Sequence, residues 1–184
     1  MEQERLHGIM SISTRYKNLL KEVIKNSPIR AFDKALGGGL KEGELGVLVS
    51  RSGTGKTGCV VHIATDILMQ GKGVIHVSFS ENVEKFILPP VEPSPYPVGL
   101  PPDPARHRSD VFDDISKNRV VLSFSNNSKI ESILKTIDAV ISAQEEKICT
   151  VIFDGYQLTV ADKSDIEKVK AFALEKKLNI ALAQ

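Results

Sequence analysis

Ser50-Arg51-Ser52-Gly53-Thr54-Gly55-Lys56-Thr57 follows directly on the apolar run Leu45 to Val49 and opens an amphipathic segment at Lys56. No other stretch narrows the possible folds as much. It fits the pattern G-x-x-x-x-G-K-[ST], with Ser50 where the first glycine would stand. A loop of small residues between a strand and a helix lets successive backbone N–H groups converge on phosphate oxygens. The helix start adds partial positive charge. Lys56 is then expected to reach the β- and γ-phosphates of a nucleotide, and the Thr57 hydroxyl to ligate Mg2+. The expected cradle runs from Ser50 through Gly58, with Gly58, Cys59 and Val60 letting the helix pack closely on the sheet. The spacing predicts nucleotide binding.

The chain around this loop alternates between two periodicities. Short apolar runs at 45–49, 73–79, 119–124, 149–153 and 179–183 read as strands. Between them, 56–70, 128–143 and 164–176 carry apolar residues at helical spacing, most cleanly Ile130, Ile133, Leu134, Ile137, Val140 and Ile141. A short helix is expected near 81–87, and a leading amphipathic helix over 12–25 with Ser13 or Thr14 as its cap. Apolar strands of five to seven residues separated by amphipathic helices predict an α/β fold, a three-layer sandwich with a mostly parallel sheet covered on both faces. Ligands of such sheets bind off the carboxyl ends of the strands.

Composition adds exclusions. Lys and Arg number 24 against 23 Asp and Glu, so no bulk charge draws the chain to nucleic acid or an anionic membrane. No apolar run approaches the roughly 20 residues of a membrane span, and the charged start MEQERLHGIM is not a signal peptide. Cys59 and Cys149 each lie in an apolar run and read as buried thiols of a reducing compartment, which predicts a cytoplasmic location. His7, His62 and His76 lack metal-ligand spacing, and His76 within a strand reads as structural. Eight of the 9 prolines fall between Pro89 and Pro104. They make residues 88–108 an extended excursion, with a docking role for a protein partner as the alternative.

A family resemblance rests on three runs. Phe32-Asp33-Lys34-Ala35-Leu36-Gly37-Gly38-Gly39-Leu40, then Gly43-Glu44-Leu45, then the phosphate loop, resemble the RecA-like P-loop ATPases, on the KaiC/RadA-like side, with DnaB-like helicases more distant. The resemblance implies an N-terminal helical extension over 1–29 and a RecA-like core over 30–184 that continues beyond Gln184. It also implies ATP and Mg2+ as ligands, and assembly of the full chain into a homo-oligomeric ring or filament.

It assigns further site residues. Ile148-Cys149-Thr150-Val151-Ile152-Phe153-Asp154 is an apolar run delivering an Asp, the shape of the strand whose carboxylate holds the magnesium shell. Glu81, just beyond GVIHVSF, stands where the family carries the glutamate that orients the attacking water, and is expected to be catalytic together with Lys56. A carboxylate in that role is worth about 10²–10⁴ in rate. Gln184, ending the run Asn179 to Ala183, corresponds to the family's γ-phosphate sensor. The expected activity is Mg-dependent ATP binding with slow hydrolysis, coupled to assembly or signalling. A DNA-dependent recombination or helicase-type ATPase and a non-hydrolysing nucleotide-binding regulator are the alternatives, with a small-molecule kinase more remote.

Overall fold

The computed structural model describes residues 21, 24–27, 29–51, 53–79, 117–144, 148–157 and 161–184. The expected helix near 81–87 and the proline-rich excursion lie outside them, as does most of the leading helix. Lys21, Ile24 and Lys25 of that helix are described and are helical. The chain divides into two compact units, Met1–Gly39 and Leu40–Gln184.

The first unit contains a helix the periodicity did not reveal, α1 (Ile29–Ala35). Seven residues make too few turns for an apolar stripe to show. Local polar contacts define it instead. The Ile29 N–H donates to Ser27 Oγ at 3.3 Å, and Arg30 pairs with Asp33 across one turn at 2.6 Å. Past Ala35 the chain turns back, with the Gly38 N–H donating to the Asp33 carbonyl at 2.7 Å.

The second unit is an α/β sandwich. Its elements are β1 (Leu45–Leu48), α2 (Lys56–Met69), β2 (Gly73–Ser78), β3 (Arg119–Ser123), α3 (Ile130–Ala143), β4 (Ile148–Asp154), α4 (Lys163–Lys176) and β5 (Asn179–Ala183). Five strands form one sheet in the order β1-β5-β4-β2-β3. All pairings are parallel, a stricter result than the mostly parallel sheet expected. Strand and helix limits differ from the sequence reading by a residue or two at half of the ends, where capping groups and not periodicity decide them. α4 shows this well: Asp162 caps it by accepting from the Ser164 N–H at 3.2 Å, and Lys177 leaves it in the left-handed region at φ 54°.

Each sheet face has its own core, which explains why the central strands β2 and β4 are buried at nearly every position. On one face Val74, Ile152 and Ala183 pack under Val60, Ala64 and Leu68 of α2. On the other, Ile75, Val77, Val151, Phe153, Ile180 and Leu182 meet Ile133 and Ile137 of α3 and Val169 and Ala173 of α4. Ile133 and Ile137 are fully buried. Truncating either to Ala is expected to cost about 2–5 kcal/mol. Among the described residues, no helix is long and apolar enough to cross a membrane.

Register then determines what stands at the carboxyl edge. Leu48 is level with Ala183, Ala183 with Asp154, Asp154 with Ser78, and Ser78 with Ser123. The chain leaves β1 into the phosphate-loop sequence from this row, and Asp154 belongs to it.

Candidate functional site

The loop between β1 and α2 takes its shape from two glycines. Gly53 at φ 78° and Gly55 at φ 88° lie in the left-handed region, and an added Cβ at either would meet nothing within 4 Å. Conformation and not space demands glycine here. Gly55 is also the N-cap of α2, so no side chain caps the helix, and the first turn carries no acid. The first N–H groups of α2 therefore lack the side-chain acceptor that usually serves them. That is the arrangement in which a helix start receives an anion.

Lys56 folds back over the loop. Its ammonium donates to the carbonyls of Ser50 at 2.6 Å and Arg51 at 2.8 Å. An ammonium has three protons, so one remains for a ligand above the loop. Ser52 lies outside the described residues.

Thr57 faces β4. Its hydroxyl lies near enough to the carboxylate of Asp154, which is 6% exposed, to favour the ionised form. Burial pushes the Asp154 carboxyl above its ordinary range, while the Thr57 hydroxyl and the Lys56 charge pull it down. The two residues expected to hold the metal, Thr57 and Asp154, thus stand near each other. Among the described residues, no group of three His, Cys, Asp or Glu side chains could hold a metal alone. Magnesium at phosphate sites does not need one, since water and phosphate oxygens supply most of its shell. One hydroxyl and one desolvated carboxylate beside an uncapped helix start fit that donor set.

Gln184 stands between the two halves of the site. Because β5 lies between β1 and β4, its end is flanked by the phosphate loop and by Asp154. The Gln184 N–H donates to the Leu48 carbonyl at 3.1 Å, and the Ser50 N–H reaches the Gln184 carbonyl at 3.5 Å. On the other side the Gly155 N–H donates to the Ala183 carbonyl at 2.9 Å. Glu81 lies outside the described residues. The last described residue before it, Phe79, donates its N–H to the Asp154 carbonyl at 3.1 Å, stacks on Phe153 and meets Tyr156 at a tilt.

Three expectations change in detail. Gly58 is not needed for close packing, because an added Cβ would meet nothing within 4 Å; fully buried Val60 makes the contact with the sheet. Cys59 and Cys149 are free thiols but only half-buried. The Ser50 hydroxyl, read from sequence as a mere departure from glycine, is bonded to Thr54 Oγ1 at 2.6 Å. Two hydroxyls four positions apart in a phosphate loop were the available signal.

His76 is structural as expected. It is fully buried in β2, and Arg119 donates to its Nδ1 at 3.3 Å, which leaves the ring proton on Nε2. Burial, then the Arg119 charge, hold its pKa down at about 3.

No known protein family matches the chain, and no curated protein matches it significantly. The functional reading therefore stands on the residues and their geometry.

Proposed function

We propose that this chain is a RecA-like, KaiC/RadA-like ATPase domain that binds Mg·ATP, hydrolyses it slowly, and couples its nucleotide state to assembly or signalling. The observation that carries the reading is the place of Asp154 at the carboxyl end of β4, near enough to the Thr57 hydroxyl and the Lys56 charge for both to favour its ionised form. That placement brings a G-K-T loop near an Asp at the end of a different strand, and those residues are distant in sequence. A glycine-rich turn with an incidental lysine has no reason to meet a desolvated carboxylate.

The roles follow from the chemistry. Backbone N–H groups of the loop and of the start of α2 receive the phosphates, and Lys56 neutralises the β- and γ-oxygens. Thr57 and Asp154 would hold Mg2+, the hydroxyl directly and the carboxylate through the ion's shell. The ion supplies charge neutralisation across the phosphates. Glu81 orients the attacking water and accepts its proton, and Gln184 reads the γ-phosphate. The near-balance of 24 basic and 23 acidic residues favours this reading over a nucleic-acid-driven motor.

Calorimetry with Mg·ATP on Lys56→Ala tests the binding claim. Removing the charge-assisted bonds of one ammonium is expected to weaken affinity about 10–100-fold; unchanged affinity refutes the site. Glu81→Gln tests the turnover claim, with binding retained and hydrolysis falling about 10²–10⁴-fold. Equal turnover in that variant would favour the non-hydrolysing regulator.

A further inference from the structure

The phosphate loop is held by a hydroxyl clasp that a glycine at its first position could not form. Thr54 Oγ1 donates to the Arg51 carbonyl at 2.8 Å and lies 2.6 Å from Ser50 Oγ. A threonine hydroxyl has one proton. That proton is committed to Arg51, so the short contact is Ser50 donating to Thr54. The direction of the whole chain is then determined: Ser50 hydroxyl to Thr54 hydroxyl to Arg51 carbonyl. Lys56 closes it from the other side, donating to the carbonyls of Ser50 and Arg51. The Arg51 carbonyl accepts twice, from Thr54 and from Lys56, which uses both of its lone pairs.

We propose that Ser50 is a positioning residue whose hydroxyl preorganises the loop for phosphate. The clasp ties the start of the loop to its end across Gly53, which has no side chain to restrict the arc and no neighbour within 4 Å of where a Cβ would stand. It also holds the Ser50 and Arg51 carbonyls where they fix the Lys56 ammonium, so one lysine proton faces the ligand without rearrangement. Ordering a loop before binding removes part of the entropy that binding must otherwise overcome. Ser50 and Thr54 are exposed and support no core, so a purely structural purpose for the pair is hard to find. The inference rests on the proposed Mg·ATP site and assigns how that site is kept ready.

The test is a double-mutant cycle on the full chain, read by calorimetry with Mg·ATP. Ser50→Ala and Thr54→Val are each expected to weaken affinity about three- to tenfold, the worth of one ordering hydrogen bond. The double variant should be no weaker than the weaker single variant, because either change breaks the same clasp. Ser50→Thr, which keeps the hydroxyl, should retain wild-type affinity, and urea midpoints should stay unchanged throughout. Strictly additive losses overturn the proposal, as does Ser50→Ala binding as tightly as wild type. A nucleotide-free readout separates this from the function itself. NMR order parameters at Gly53 and Gly55 should fall in Ser50→Ala even if the wild type binds no Mg·ATP, and unchanged order parameters overturn the clasp on their own.

Discussion

The Thr57 hydroxyl, in the first turn of α2, lies near the Asp154 carboxylate at the carboxyl end of β4 and favours its ionised form. The arrangement brings together a helix start that attracts anions and a carboxylate that attracts cations. Burial works against the ionised form of Asp154, and only a hydroxyl and the nearby Lys56 charge offset it. Such a group is better satisfied with a divalent cation beside it than without one.

Asp154→Asn should therefore separate stability from binding. A carboxyl with a raised folded pKa binds its proton more readily in the fold than in the unfolded chain. It favours the fold as pH drops through the window above its ordinary value of 3.8, and its ionisation opposes the fold at neutral pH. Asparagine keeps a carbonyl oxygen of similar size at this position and never ionises. Without metal at pH 7, the variant should melt at or above the wild-type temperature. Its Mg·ATP affinity should fall about 10–100-fold, as when an outer-shell partner is removed. A variant that melts lower and binds normally would make Asp154 a structural residue.

His76 predicts a loss of stability in acid. Its folded pKa is lowered from 6.5 to about 3 by burial and then by the Arg119 charge. Between those values the unfolded chain takes up a proton that the folded chain refuses. Stability is fully present above about 6.5 and is lost as pH falls toward 3, by roughly 4–5 kcal/mol at the upper bound. His76→Gln keeps an acceptor for Arg119 and removes the titration. Urea midpoints from pH 7 to pH 4 should converge or cross for the two proteins; parallel curves would exclude His76 as the cause.

The sheet was legible in the sequence because both of its faces are covered. Val151, Ile152 and Phe153 are each fully buried, although they alternate between the two cores. Such a run cannot be mistaken for a half-exposed strand. The left-handed turns at Gly53 and Gly55 between β1 and α2 were legible because glycine spacing before the Lys-Thr pair encodes a backbone shape. Strand order was not, since nothing within Asn179–Ala183 says that it inserts between β1 and β4. The helix Ile29–Ala35 was hidden by its length, and the Ser50 clasp because a serine in a glycine's place reads as a blemish until its partner is seen.

Two glycines close together in the site should respond in opposite ways. Gly55 sits at φ 88°, where an alanine is strained by about 1–2 kcal/mol. Gly55→Ala should distort the loop and weaken Mg·ATP binding although no atom obstructs the methyl group. Gly58 lies in the first turns of α2, with open space where a Cβ would stand. Gly58→Ala should raise stability by about 0.5–1 kcal/mol through helix propensity. Paired urea titrations and calorimetry check both, and destabilisation by Gly58→Ala would reveal a steric demand the structure does not contain.

Gln184 tests whether the strand order has a chemical consequence. Its backbone completes the ladder between β1 and β5, so a side-chain change leaves the N–H to Leu48 and the carbonyl to Ser50 intact. Gln184→Ala removes the side-chain amide together with one methylene. If that group reads the γ-phosphate, affinity for Mg·ATP should fall about three- to tenfold, the worth of a neutral hydrogen bond. Affinity for Mg·ADP should not move, because ADP has no γ-phosphate to read. Competition binding of the two nucleotides gives the ratio directly. An equal loss for both would mean that the residue supports the loop from below, and the sensing role would have to be sought elsewhere along the carboxyl edge, with Ser78 as the buried neighbour of Asp154.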